Sequence, residues 1–195
     1  MDRETELELI RRLGERDPGA FDAIYAEYRV PVFNFLARLS HSREVADDLS
    51  EETWLRLVAN GGRLRPDTRL GPWLFTVARN LYFSHCRPRL LADTNSTGLL
   101  GLWPAGVKQP SPFDEVVAGE FERRVERALA MLPIRYREVM LLVGIEGLSH
   151  AEAAAVCGLT AETLRQRVSR GRSMLARALE RPVPNQVRVP SGVIA

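Results

Sequence analysis

Lysine is almost missing from this 195-residue chain: of 27 basic residues only Lys108 is one, and the rest are arginines. A GC-rich genome produces such a bias, and the planar five-donor guanidinium also suits phosphate and guanine contacts. Cysteine is scarce. Cys86 and Cys157 stand far apart, which excludes a disulfide framework and a metal-ligand spacing and fits a reduced, cytoplasmic setting. Long apolar runs are lacking too. Stretches such as 139–145 are far too short to cross a bilayer, so no membrane insertion is expected. The first residues, Met1 to Glu6, are acidic without an apolar segment, which is not a signal peptide. His41, His85 and His150 are scattered, and no glycine-rich phosphate loop or nucleophile elbow occurs. The expectation is therefore no enzyme, no catalytic residue, no metal and no cofactor. The net charge of +2 argues against attachment to nucleic acid by bulk charge, so the placement of charges decides.

Apolar content is 45%, enough for ordinary cores, and its spacing is helical throughout. A short helix is predicted over 4–13, stopped at Gly14. Asp17-Pro18 reads as an N-cap followed by proline at the first helical position. Phe21, Ile24, Tyr25, Tyr28, Val32, Phe35, Leu36 and Leu39 then recur in steps of three and four, the buried face of a helix. Pro31 would kink or split it. A third helix is predicted over 42–60, ended by Asn60-Gly61-Gly62 in left-handed backbone. After a polar loop, 63–71, Pro72 opens a fourth, which should end near Arg87-Pro88.

Residues 89–113 hold Pro104, Pro110 and Pro112 with Gly98, Gly101 and Gly106 and read as a flexible linker. Leu99, Leu100, Leu102 and Trp103 within it are apolar enough to dock on something. A second helical block follows: helices over 116–132 and 134–144, then Ser149-His150-Ala151-Glu152 as a capping box. That helix runs to Val156. Cys157-Gly158-Leu159 makes a tight turn, and Thr160 caps a last helix reaching about Arg181. The fold class is thus all-α: two small helical domains, 1–88 and 114–181, joined by the linker. A proline-bearing tail, 182–195, is expected to be disordered.

Two short capped helices joined by a glycine-containing turn are the signature of a helix-turn-helix. In the second helix Leu164, Val168, Gly171 and Leu175 point inward, leaving Arg165, Gln166, Ser169 and Arg170 for base edges in the major groove. Arg167 and Arg172 suit phosphates or structural pairing. A solvated arginine face on an amphipathic helix is the bland alternative. The coincidence of capping box, turn and basic face favours the DNA-reading unit.

These residues resemble a known family. Leu132 to Val139, Glu146-Gly147-Leu148-Ser149, 151–159 and Thr163 to Arg172 are similar to region four of sigma factors, most of all the small extracytoplasmic-function (ECF) class of the sigma-70 family. Asp17 to Phe21, Val45 to Trp54, and Pro72-Trp73-Leu74 with Ala78-Arg79-Asn80 resemble its region two. There are departures: Glu51 where the family often has Gln, Glu162 where it has Gly, and Gly171 where it has Ala. Glycine within a helix costs about 1 kcal/mol relative to alanine, so the last helix should be softer.

The resemblance implies a promoter-specific initiation factor. It would bind core RNA polymerase through Asp47, Asp48, Glu51 and Glu52. It would take up the minus-ten element with Asn60, Arg63, Arg65, Arg69, Arg79 and Asn80. It would read the minus-thirty-five element with Thr163, Arg165, Gln166, Arg167, Ser169, Arg170 and Arg172. Core polymerase, promoter DNA and an anti-sigma protein are the partners it implies. Six arginines and one acid over 63–89, with Trp73, Tyr82 and Phe83 among them, independently suit single-stranded DNA, where bases stack and phosphates pair with cations. Three rival readings compete. An ordinary helix-turn-helix regulator would explain the second half but not the acidic helix followed by the arginine-aromatic patch. An enzyme lacks its motifs. A thiol- or metal-responsive factor would rest on Cys86 with His85 alone.

Overall fold

A computed structural model describes residues 1–92 and 119–180, with 88–92 as backbone only. The linker apolar residues from Leu99 to Trp103, the helix start expected at 116 and the tail from 182 lie outside the described residues.

The first half is four helices: α1 (Arg3–Gly14), α2 (Pro18–Ser40), α3 (Arg43–Asn60) and α4 (Leu70–Ala92). The second is α5 (Glu120–Ala130), α6 (Ile134–Met140), α7 (His150–Cys157) and α8 (Ala161–Glu180). No strand occurs among the described residues, and the all-α, two-unit architecture holds. The starts follow local chemistry. Asp2, Asp17 and Ser42 each accept a first-turn amide hydrogen bond, satisfying donors that the helix itself leaves unpaired.

Several boundaries differ from the sequence expectation. Pro31 neither splits nor ends α2, which runs unbroken through it; the ring removes one ladder bond, and flanking Val32, Phe35 and Leu36 are fully buried. Gly61 is right-handed, with φ −51° and ψ −45°, so left-handed backbone does not end α3. The chain instead tightens into a 3₁₀ turn over Gly61–Arg63. Space explains the glycine: a Cβ there would stand 2.8 Å from Cγ of Leu13 on α1. The α4 helix continues past Pro88 to Ala92. The segment expected as one helix to Gly144 is α6 followed by a π turn over Leu141–Ile145.

In the first half Ile24, Phe35, Leu36, Leu39, Leu57, Leu70 and Leu74 are fully buried. The edge-on contact of Tyr25 with Trp54, centroids 5.0 Å apart, joins α2 to α3. In the second half Val139, Leu141, Leu142 and Leu164 are buried. The halves also touch, α4 packing on α7 and α2 on α6.

Candidate nucleic-acid interface

The capping box forms in full. Ser149 Oγ accepts from the Glu152 amide at 3.2 Å, and the Glu152 carboxylate accepts from the Ser149 amide at 3.0 Å. Gly158 closes α7 at φ 64°, a left-handed position that costs an L-residue roughly 1–2 kcal/mol. Its amide bonds back to Ala154 and Ala155. Thr160 Oγ1 then accepts from the Thr163 amide at 3.1 Å and starts α8. Thr163 is therefore tied into this cap, its hydroxyl also hydrogen-bonded to that of Thr160 at 2.8 Å.

The faces of α8 separate as the spacing predicts. Leu164, Val168 and Gly171 are buried, Leu175 is half-buried, and Arg165, Gln166, Ser169, Arg170 and Arg172 are exposed. Two of the exposed residues are engaged by Glu162. Arg165 donates to it at 2.7 Å and Gln166 at 3.2 Å. The neighbouring Arg170 guanidinium, ahead of Arg135, lowers the pKa of the Tyr136 hydroxyl. Arg167 lies apart: half-buried, it donates to Oε1 of Glu138 at 3.3 Å.

The other arginines divide similarly. Arg63 and Asn80 are exposed and Asn60 is half-buried, its amide donating to the Arg56 carbonyl at 2.8 Å. Arg65 pairs with Asp67 at 2.7 Å. Arg69 meets Glu6 at 3.1 Å and Glu152 at 3.7 Å. Arg79 is 19% exposed, donates to Oε2 of Glu138 at 2.8 Å and lies over the Phe83 ring at 4.6 Å.

On α3, Asp47, Asp48 and Glu51 are exposed with Glu44. Asp47 is 3.9 Å from Arg43, while Glu52 is half-buried and accepts from Arg56 at 2.7 Å. The acidic face is real, and Asp48 and Glu51 are its least encumbered members.

Sequence reasoning missed the acids that organise these arginines. Glu6, 4% exposed, accepts from the Leu70 amide at 2.5 Å and so caps α4 from α1. With Arg3, which donates to the Thr68 carbonyl at 2.8 Å, it fixes the loop before α4. Glu138, 2% exposed, holds Arg79 and Arg167 together; burial pushes its pKa up and the arginines pull it back. Buried Arg137 donates to Leu129, Ala130 and Leu132 carbonyls at 3.2, 2.5 and 2.9 Å. It thereby closes the C-terminal end of α5. The thiol of Cys157 is buried, with its pKa pushed up to about 12, so it is no reactive thiolate at neutral pH.

Known families match both halves. Residues 24–89 fit the model for sigma-70 region 2, and residues 122–175 fit that for sigma-70 region 4. The chain is 37% identical over 145 residues to the ECF RNA polymerase sigma factor EcfG of Rhodopseudomonas palustris, covering 74% of this chain and 77% of that protein. The chain belongs to the ECF sigma factors of the sigma-70 family. It is also 27% identical over 184 residues to the RNA polymerase sigma-H factor of Pseudomonas aeruginosa, covering 91% and 95% of the two chains. A solved structure of the sigma factor RpoE from Bartonella quintana, bound to the anti-sigma factor NepR, matches with TM-score 0.65. The two are 28% identical, over 82% of this chain and 96% of that one. As a sigma factor this protein serves transcription initiation, with RNA polymerase and promoter DNA as partners. No helix among the described residues is long and apolar enough to cross a membrane.

Proposed function

We propose that this sigma factor reads its promoter at two places. Residues 114–181 take the minus-thirty-five element through the exposed face of α8, and residues 1–88 take the minus-ten element through the loop before α4 and α4 itself. The observation that carries the reading is the split of α8: Arg165, Gln166, Ser169 and Arg170 face outward while Leu164, Val168 and Gly171 pack inward. The first four can hydrogen-bond base edges from the N-terminal part of a helix in the major groove. Arg172 and, once released from Glu138, Arg167 supply phosphate contacts. Thr163 sits at the helix start, where the amide ends face a phosphate.

In the first half, exposed Arg63, Arg65 and Arg69 lie on the loop before α4, Asn80 is exposed on α4, Arg79 lies half-buried against Glu138, and Asn60 stands at the head of the loop. An extruded base costs a few kcal/mol of lost stacking. Polymerase binding and the arginine–phosphate contacts offset that cost. Asp47, Asp48, Glu51 and Glu52 on α3 dock on core polymerase.

The RpoE relative is bound by an anti-sigma factor, and an anti-sigma protein is the regulator proposed here as well. The protein acts in the cytoplasm and makes no bonds itself; the polymerase does the chemistry.

Reconstitution with core polymerase on a library of randomised promoter DNA tests this. Initiation at a defined pair of elements is the expected outcome. A protein that binds duplex DNA but starts no transcript would be an ordinary regulator and would overturn the reading.

A further inference from the structure

We propose that Arg135 and Tyr136 on α6, together with Arg170 on α8, form a clasp for one backbone phosphate of duplex DNA, beside the groove that α8 reads. Neither Arg135 nor Tyr136 belongs to the DNA-contacting set above. The inference rests on the proposed function in that α8 must lie on duplex DNA.

The clasp follows from how α6 and α8 pack. Tyr136 is 8% exposed and belongs to the core. Gly171 lets α8 approach it: a Cβ there would stand 3.7 Å from the Tyr136 carbonyl oxygen and 2.9 Å from Cγ of Met140. Arg170, the residue before, is exposed, and its guanidinium neighbours the Tyr136 hydroxyl. From α6 itself, exposed Arg135 lies over the Tyr136 ring, 4.9 Å from the centroid. Its charge adds to that of Arg170 at the same hydroxyl. Two cations from two helices thus converge on one phenol.

The counterpart they lack is an acid. Elsewhere arginines of this chain are matched to carboxylates. Arg38 meets Glu126 at 2.7 Å, and Arg69 meets Glu6 at 3.1 Å. Arg79 and Arg167 meet Glu138 at 2.8 and 3.3 Å, and Arg165 meets Glu162 at 2.7 Å. Among the described residues Arg135 and Arg170 make no ion pair. Glu138, three residues on from Arg135, has one oxygen on Arg79 and the other on Arg167. A ring face holds a guanidinium in place but leaves its charge uncancelled. Two such charges repel, and an anion between them turns that repulsion into attraction. Two planar donor forks and one hydroxyl match the oxygens of a phosphate diester.

Position selects the anion. Residues in the N-terminal part of a recognition helix reach base edges, and the elements around it meet the backbone. Arg170 stands more than a turn beyond Arg165, next to α6. The clasp therefore draws Arg170 to the backbone and brings α6 to the DNA with it. Phosphate contacts fix register and orientation without reading sequence. The clasp sets how α8 sits in the groove, and Arg165, Gln166 and Ser169 read from that position.

The test uses the full chain and two fluorescein-labelled duplexes of unrelated sequence, with anisotropy read across salt concentrations. Arg135→Gln should weaken binding to both by the same factor. That factor should be roughly threefold or more beyond the effect of Arg123→Gln, which removes the same charge from the exposed side of α5. Arg135→Gln combined with Arg170→Gln should lower the slope of log affinity against log salt by about 0.9, the value of one phosphate shared by both; two separate phosphates would give about 1.8. Tyr136→Phe keeps the ring and should weaken binding with the slope unchanged. Arg135→Lys keeps the charge and should keep the parental slope, which separates a lost contact from a lost fold; circular dichroism checks helix content in each variant.

An Arg135→Gln loss no greater than that of Arg123→Gln, a factor that differs between the two duplexes, or a combined slope change near the two-phosphate value would each overturn the clasp. Arg165→Ala distinguishes the two levels of the argument. If it weakens duplex binding while Arg135→Gln does not, the clasp alone falls. If neither has an effect, α8 does not lie on the DNA, and the functional reading falls with the clasp.

Discussion

Gly171 of α8 lies against Met140 of α6 so closely that a Cβ there would stand 2.9 Å from its Cγ and 3.1 Å from its Sδ. The sequence suggests a softened helix at this glycine; the structure supplies the reason for it, which is close helix packing. Alanine would gain about 1 kcal/mol of helix propensity. Forcing an extra methyl into a packed seam costs typically 1–3 kcal/mol. Gly171→Ala should therefore lower stability by about 1 kcal/mol, read as a fall in urea midpoint. In a Met140→Ala background the same change should stabilise, a sign reversal that a double-mutant cycle detects. Equal effects in both backgrounds would mean the contact does not matter.

Charge reversal of the α3 face should separate binding from folding. Asp48 and Glu51 are exposed with no intramolecular ion pair among the described residues. Asp48→Arg with Glu51→Arg should weaken association with core polymerase at least about tenfold, as like charges in a complementary patch cost several kcal/mol. Thermal stability should move by no more than about 0.5 kcal/mol, as for ordinary surface changes. Glu52→Arg is the weaker probe, since Glu52 also holds Arg56 and its loss disturbs the helix face. Undiminished co-purification of the double variant with core polymerase would exclude this surface from docking.

Caps and faces were readable because they are local. Ser149 and Glu152 stand three residues apart, and the box they predict is present in both directions. Leu164, Val168 and Gly171 repeat at helical spacing and are buried as a set. What could not be read is long-range. Arg38 and Glu126 are 88 positions apart, and nothing near either marks a partner. Arg137 and Glu138 are both buried, and no local pattern marks them as core. Glycine at 61 looks like a left-handed stop because sequence does not show Leu13 crossing above it. The candidate functional residues are chosen by type and position. That Arg79 and Arg167 share one buried acid depends on how the halves meet.

Glu162 restrains the residues proposed to read bases. It pairs with Arg165 and accepts from Gln166, and its charge opposes nearby phosphates. Glu162→Ala should strengthen binding to mixed-sequence duplex at low salt by roughly threefold, the share of one surface ion pair and one repulsion at under 1 kcal/mol. Arg165→Ala should weaken binding and reduce the salt slope by about 1 if Arg165 reaches a phosphate, or relax base preference at one position if it reaches a guanine. Fluorescence anisotropy against salt concentration distinguishes these. No effect of either substitution would remove the first turn of α8 from the interface.

The boundary between the halves should respond to pH through two groups of opposite sign. Burial pushes the Glu146 carboxyl up to about 7 from an ordinary 4.5, with Arg38 pulling the other way. Its folded pKa lies above the unfolded one, so its contribution is full below pH 4.5 and is lost as pH rises through about 7. Burial, then the nearby charge of Arg137, pushes His41 down to about 4 from 6.5. Its contribution is full above pH 6.5 and is lost as pH falls toward 4. Glu146→Gln should therefore raise the melting temperature at pH 8 and leave it nearly unchanged at pH 4.5. His41→Asn, which keeps a polar side chain able to adopt the left-handed backbone at φ 55°, should flatten the fall in stability between pH 6 and 4. Melting curves of the three proteins across pH 4 to 8 decide it. A Glu146→Gln gain that is the same at both ends of the range would show that the carboxyl does not titrate there.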